Sequence, residues 1–284
     1  MNLRGLEKTD KWGYIFTVFY NGEKFHSFDE MSEKITVKGE FRRVMNELGF
    51  TWAKGIQQGG RTDAKVSAER NLLYVSSNFS GDLKDIINEF NNRMKESIFI
   101  RKVEKTFPNL SFPEFVEKRE YIYRYPKKRV KRSLEEIEKS IKEISGTYDV
   151  SRFTDKKGLE LLEHERTVQV TYEKGILRFI GNSFMPKQVR NMSGYIFSGE
   201  IETYPGKFLT LEKVYLKDEL ENKKIVEELE LDIPGVSKIE KTIDGKIYIF
   251  YVRSENKGKV IGKNGKEIKK LRKEYGDILI REIS

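Results

Sequence analysis

The 284-residue chain predicts an α+β protein: a mixed, mainly antiparallel sheet flanked by helices, with a small α/β domain at its end. Three observations carry that expectation. Strand and helix patterns alternate through the first 110 residues without the crossover helices or glycine-rich phosphate turn of a doubly wound parallel sheet. The middle of the chain holds strands alternating at period two and a hairpin signal. The charge balance then reverses, with nine acidic and four basic residues between Asp218 and Asp244, which marks a boundary. The expected domains are 1–110, 111–216 and 217–284.

Trp12 to Tyr20, aromatic and β-branched, reads as a buried strand ended by Asn21-Gly22. Thr36 caps a helix over Val37 to Leu48, with Val37, Phe41, Val44, Met45 and Leu48 on one face and Gly49 beyond its end. Residues 23–35 fit no element. The stretch Gly59 to Ala68 is a loop leading into a short strand at Asn71 to Ser76. A helix over Leu83 to Met94 follows, with Leu83, Ile86, Ile87 and Phe90 inward, and then a strand over Ser97 to Phe107. That order is α+β or ferredoxin-like. Lys118 to Pro126 is a strand whose Tyr121, Tyr123 and Tyr125 share one face. Ser133 caps a helix reaching Ile144, with Leu134, Ile137, Ile141 and Ile144 inward. Arg166 to Tyr172 and Ile176 to Ile180 form a hairpin across Lys174-Gly175. Pro186 fits the first turn of a helix that buries Val189, Met192 and Ile196. The tail reads as a helix over Ile225 to Leu231, strands near Val236 to Thr242 and Lys246 to Arg253, a loop, a helix and a strand over Ile278 to Ile283. There is room for a short helix before that loop.

Composition narrows the chemistry. Lys and Arg number 54 against 45 Asp and Glu, a net charge of +9, which favours an acidic polymer or an anionic membrane surface as partner. There is no cysteine, and His26 and His164 are the two histidines. A thiol nucleophile, a disulfide and a cysteine-based metal site are excluded, and a histidine-rich metal site is disfavoured. Acid–base work falls to carboxylates, Tyr or Lys, with no metal or cofactor expected. No apolar run approaches membrane-spanning length and Met1 to Lys11 is polar, so no membrane association and a cytoplasmic location are expected.

Four stretches carry candidate chemistry, each with a plain structural counterpart. In Gly59-Gly60-Arg61-Thr62-Asp63-Ala64-Lys65-Val66-Ser67-Ala68, two glycines permit close approach, Arg61 can hold a phosphate or orient Asp63, and Asp63 is a carboxylate. Alone, it is equally a glycine turn with a solvated aspartate. From Glu117 to Arg132, eight basic residues, among them Arg119, Arg124, Lys127, Lys128 and Arg129, surround the tyrosines against two acidic ones. Such interleaving suits bases stacked on aromatic rings with phosphates held by cations, and it equally describes a protected edge strand. Arg190, in Phe184-Met185-Pro186-Lys187-Gln188-Val189-Arg190-Asn191-Met192-Ser193-Gly194, is by default a surface arginine on an amphipathic helix. The fourth, Val260-Ile261-Gly262-Lys263-Asn264-Gly265, is a Gly-x-x-Gly loop before an amphipathic helix; alone it is a plain turn.

The first of these stretches closely resembles the GRTDAGVHA-type motif of the TruA family of tRNA pseudouridine synthases, departing at Lys65, usually glycine, and Ser67, commonly histidine. The resemblance covers about residues 10–215. It implies the pseudouridine synthase fold of two ferredoxin-like halves, with Asp63 as the catalytic residue and Arg61 in the active-site loop. The Lys/Arg-x-Tyr-x-Tyr strand of the family makes Tyr121 the residue stacked on the target base, or Tyr123 if the register is shifted by two. The family's Phe-x-x-x-Met-Val-Arg-Asn-x-x-Gly block, matched here except for Gln188, makes Arg190 the partner of the aspartate. Gly146 to Phe153 resembles a further family segment, in which Asp149 reads as a turn residue. The family's glycine- and glutamine-containing substrate loop has no match in Glu23 to Lys34.

The tail is similar to a KH domain of the bacterial type, through its Val-Ile-Gly-Lys-x-Gly core. In such a loop Gly262, Lys263, Asn264 and Gly265 lie against nucleic-acid phosphates. The function implied is isomerisation of specific tRNA uridines to pseudouridine, with tRNA as partner and no cofactor. The family commonly works as homodimers, although the tail could supply the missing contacts to a monomer. The alternative is a non-catalytic RNA-binding or RNA-chaperone protein built on the same scaffold.

Overall fold

The computed structural model describes residues 6 and 9–283, so the polar reading of Met1 to Lys11 falls largely outside the described residues. The first strand, β1 (Trp12–Tyr20), has the predicted bounds and is buried on both faces. Helix α1 (Val37–Glu47) starts at Thr36, whose side chain accepts a hydrogen bond from the Gly39 amide, a cap made by sequence alone. A two-residue strand β2 (Gln57–Gln58), then β3 (Ser67–Ser77), α2 (Leu83–Met94) and β4 (Ile98–Thr106) complete the first half. β3 begins earlier than predicted, absorbing Ser67 and Ala68.

The second half holds β5 (Val116–Arg124), α3 (Leu134–Ile144), β6 (Gly146–Asp149), a single helical turn α4 (Lys156–Leu159), β7 (Glu165–Glu173), β8 (Ile176–Gly181), α5 (Gln188–Ser198) and β9 (Leu209–Leu216). Lys174 (φ 51°) and Gly175 (φ 88°) make the expected hairpin turn. Within the sheet the strands run β4-β1-β3, with β2 beside β3, and β9-β5-β8-β7. All of these neighbours are antiparallel. Each half is therefore ferredoxin-like: β1 lies between β3 and β4, and β5 between β8 and β9, with the short β6 added outside β7, as two split β-α-β units require. The halves meet where β3 and β9 pair in parallel over Ser67↔Thr210 and Ala68↔Leu211.

Three expectations are corrected. Leu134 is 57% exposed, because it is the first residue of α3, before the helix turns its apolar stripe onto the sheet; Ile137 and Ile144 are buried as expected. Pro186 precedes the helix instead of lying in its first turn: α5 is entered through Lys187 in the left-handed region (φ 60°). The predicted helix over Ile225 to Leu231 is instead a strand, β10 (Ile225–Glu227), followed by irregular chain, with one helical turn α6 (Asp218–Glu221) ahead of it. Ile225 pairs with Lys105 of β4 on one side and Thr242 on the other, and this pairing decides the state of a segment with no strong preference of its own.

The tail continues with β11 (Lys238–Thr242), β12 (Ile247–Arg253), α7 (Ser254–Ile261), α8 (Lys266–Tyr275) and β13 (Asp277–Ile283), the last parallel to β12. Helix α7 fills the space left before the Gly-x-x-Gly loop. Through β10 the tail strands join the same sheet, whose order is β13-β12-β11-β10-β4-β1-β3-β9-β5-β8-β7-β6. A separate small core beneath α7 and α8 holds Ile239, Phe250, Val252, Val260, Ile268 and Ile278. Among the described residues no helix is long and apolar enough to cross a membrane.

Candidate active site

Gly59 and Gly60 end the connection out of β2 and bring its backbone against β9 and β5. A Cβ on Gly60 would lie 2.8 Å from Leu211 and 3.7 Å from the Tyr121 hydroxyl, so glycine alone lets the loop pass this close. The loop is then clamped by buried polar groups. The Gly60 amide donates to Asn71 Oδ1 (3.0 Å), and Asn71 Nδ2 donates back to the Gly60 carbonyl (2.8 Å) and to Tyr20 Oη (3.2 Å). Tyr20 Oη and Thr62 Oγ1 share a 2.8 Å hydrogen bond. The Gly59 amide donates to Leu72 O (2.8 Å), and Arg119 Nε donates to the Gly59 carbonyl (2.7 Å). Tyr20 and Asn71 are completely buried, so water cannot replace these bonds.

Thus held, the loop presents Asp63 at the seam between the halves. Asp63 Oδ2 lies 3.2 Å from Arg190 Nη1 on α5, 127 positions along the chain. Arg190 is largely buried and its Nε donates to the Tyr204 carbonyl (2.6 Å), which fixes the plane of the guanidinium. The helix that carries it is secured at its C-terminal end by Arg132, whose Nη1 donates to the carbonyls of Tyr195 and Ile196 (both 3.1 Å). Asn191 ties the same helix to the Phe153 carbonyl (2.8 Å) and accepts from Thr203 Oγ1 (2.6 Å). Gln188, buried, accepts from the Met185 amide (2.8 Å). The remaining Asp63 oxygen takes no hydrogen bond among the described residues. The loop from Thr62 to Val66 faces Phe25, Ser27 and Phe28 across a shallow cleft.

Tyr121, on the central strand of the second half, is buried beside the loop with its ring edge-on to Phe184 at 5.2 Å. Burial pushes its hydroxyl above the usual phenol range; Arg119 opposes the shift and the nearby Asp63 charge adds to it. It therefore stays protonated at neutral pH. Tyr123 is wholly buried, donates to the Pro205 carbonyl (3.1 Å) and packs with Tyr125 and Phe208. Tyr125 falls just past the end of β5.

The expected RNA-contacting residues divide into two groups. Arg124, Lys127, Lys128 and Arg129 are exposed, the last three on a single 3₁₀ turn. Arg119 is turned inward, donating to Gly59 O and to Asn182 O (2.5 Å), and so braces the loop that carries Asp63. Arg61 projects into solvent, 69% exposed, with its Nε 2.8 Å from Asp29, which also holds Lys38 at 2.8 Å. The unassigned segment 23–35 thus supplies Asp29 to the loop, and Lys65 stands exposed in the left-handed region (φ 65°). In the tail, Gly262 (φ 74°), Asn264 (φ 55°) and Gly265 (φ 72°) form a left-handed turn with Lys263 and Asn264 exposed, leading into α8. Sequence reasoning missed Asn71, Tyr20 and Asp29: an Asn inside a strand and a Tyr at a strand end carry no signal of what they clamp.

Residues 216–282 match the family model described as KH domain. The chain is also similar to proteins named tRNA pseudouridine synthase A. One from Bacillus cereus strain ATCC 14579 (tRNA pseudouridine synthase A 1) is 27% identical over 210 residues, covering 64% of this chain and 81% of that one. One from Borrelia duttonii is 28% identical over 204 residues, 65% of this chain and 82% of its own length. One from Streptococcus uberis is 27% identical over 202 residues, 64% and 80%. A crystal structure of a Cbf5-Nop10-Gar1 complex overlaps 70% of this chain and 47% of its own at 12% identity, with a TM-score of 0.32, too low to establish a shared fold.

Proposed function

We propose that this chain, similar over about two thirds of its length to tRNA pseudouridine synthase A and carrying a KH-like domain after it, isomerises uridine to pseudouridine in tRNA. The observation that carries the reading is the pairing of Asp63 with Arg190 beside buried Tyr121, all three on segments matching that family's motifs. The domains proposed are the N-terminal half with the catalytic loop (1–110), the C-terminal half (111–216) and the KH-like unit (217–284).

The reaction breaks the bond between uracil N1 and the ribose, turns the base and joins C5 to the same ribose carbon, with the C5 proton leaving and N1 gaining one. Nothing is oxidised or reduced. The uridine must leave its stack to be reached, which costs a few kcal/mol. Exposed Arg124, Lys127, Lys128 and Arg129 draw the RNA backbone in, and Arg61 holds the extruded nucleotide. Tyr121 packs against the uracil. Asp63 is the reacting carboxylate, acting as nucleophile or as the base that removes a ribose proton, and Arg190 fixes its geometry. Gly262, Lys263, Asn264 and Gly265 bind a further stretch of the same RNA backbone. A cytoplasmic location fits a tRNA substrate.

Asp63→Asn tests the assignment. It preserves shape and removes the charge, so tRNA binding measured by filter retention should stay near wild type while tritium release from [5-³H]uridine-labelled tRNA is abolished. Release at the wild-type rate from this variant would remove Asp63 from the chemistry.

A further inference from the structure

A binding domain carried on a tether explores many orientations, and its sheet keeps one face for itself. The tail here is fastened instead. One face of its sheet, through Phe250, Val252 and Ile278, covers its own helices, whereas the opposite face, through fully buried Ile249 and Leu279, enters the main core. Lys105 on β4 reaches Glu240 on β11 (2.6 Å) and donates to the Tyr251 hydroxyl on β12 (2.7 Å), which itself donates to Glu240 (2.7 Å). Trp12 on β1 is stacked by both the Lys105 ammonium (4.2 Å) and the Arg281 guanidinium on β13 (4.6 Å). Alongside, buried Lys224 bridges Glu104 (3.0 Å) and Glu221 (2.6 Å), and Thr106 Oγ1 donates to Lys223 O (3.1 Å). Burying charges in this way is a weak source of stability, and its best-attested use is to fix registry.

We infer that this buried junction makes the two RNA-holding surfaces a gauge of fixed span, so that the uridine reacted is set by its distance along the RNA from the stretch gripped at Gly262–Gly265. This rests on the function proposed above and adds to it the residues that set position: Lys105, Glu240, Tyr251 and Trp12. They touch no substrate and act by placing the loop. Six strand-to-strand steps separate β3, which follows Asp63, from β13, which α8 connects to the gripping loop. At about 4.8 Å per step those two strands are roughly 29 Å apart across the sheet.

The test uses the full chain and transcribed tRNA carrying 4-thiouridine at single positions. Ultraviolet crosslinking followed by peptide mapping identifies which nucleotide meets the Gly262–Gly265 loop and which meets the Asp63 loop. Neither crosslink requires turnover. Wild-type protein should give one separation between the two nucleotides. Glu240→Ala and, independently, Lys105→Met should spread that separation over several positions and spread the sites of pseudouridine in the same way. Lys263→Ala should weaken the tail crosslink without shifting its position. An unchanged single separation in either folded junction variant overturns the gauge, as does a spread separation in wild-type protein, which needs no variant at all. A single wild-type separation without any pseudouridine formed would instead sink the enzymatic reading and leave the fixed span standing.

Discussion

Asn71 is the residue on which the geometry of the Asp63 loop most depends. Its side chain satisfies both backbone groups of Gly60 and holds Tyr20, which in turn holds Thr62, the neighbour of Asp63. Asn71→Leu keeps the volume and strands the Gly60 amide and carbonyl in a site closed to water. At about 1–3 kcal/mol for each unsatisfied group, the loss is about 2–6 kcal/mol of stability. The loop escapes part of that cost by shifting, and a displacement of about 1 Å at reacting groups lowers rates on the order of 100-fold. Arg190, Tyr121 and the surface cations are untouched, so RNA affinity should hold. Urea unfolding gives the first quantity, single-turnover pseudouridine formation well below the melting temperature the second, and filter retention the third. Wild-type stability together with a wild-type single-turnover rate would refute the clamp. A loss confined to RNA affinity would refute it too, since it would place Asn71 in binding and not in positioning.

Three further outcomes follow from the same contacts. Lys65→Gly relieves a side chain held at φ 65°; the gain is about 1 kcal/mol, or roughly 2–4 °C in melting temperature, whereas Lys65→Ala, which keeps the Cβ, should melt with the wild type. Lys128→Ala should lower RNA affinity at low salt and reduce the slope of log K against log salt by about 0.7, the value for one phosphate on a single strand; an unchanged slope removes Lys128 from the RNA path. Glu240 titrates below the usual carboxylate range: burial works against this, but Lys105, Tyr251 and Lys238 outweigh it. Its contribution to stability is therefore complete above the ordinary glutamate range and lost as pH falls through its lower folded value. Glu240→Gln should flatten the acid side of the stability profile, and parallel profiles for the two proteins would contradict the assignment.

Local physics was legible where it acts alone. The bounds of β1, the Thr36 cap, α2 and the Lys174-Gly175 hairpin follow from side-chain periodicity and turn chemistry, and they stand where the sequence put them. Legibility failed where a partner distant in sequence decides the outcome. Ile225 to Glu227 prefers neither state strongly, and the open edge of β4 makes it a strand. Arg119 reads as one cation in a basic run, yet a carbonyl 60 residues earlier turns it inward. The proximity of Asp63 and Arg190 came from matching two motifs, since no periodicity relates positions so far apart. Lys65 looked like an added charge; the backbone at that position shows why glycine suits it, because the angle is one that glycine adopts without strain.

The seam between β3 and β9 bears on the order of events in folding. Each half closes on its own antiparallel pairs, which are local enough to form early, whereas the parallel contact spans only Ser67↔Thr210 and Ala68↔Leu211. Joining them closes a loop of well over a hundred residues, an entropic cost that is met late. Asp63 belongs to one side of that closure and Arg190 to the other. A nascent chain that has finished its first half holds the carboxylate but not the guanidinium, and the pair is complete once the second half has formed and docked. The pairing of Asp63 with Arg190 is thus a late contact, and under the function proposed above a half-formed molecule would be inactive.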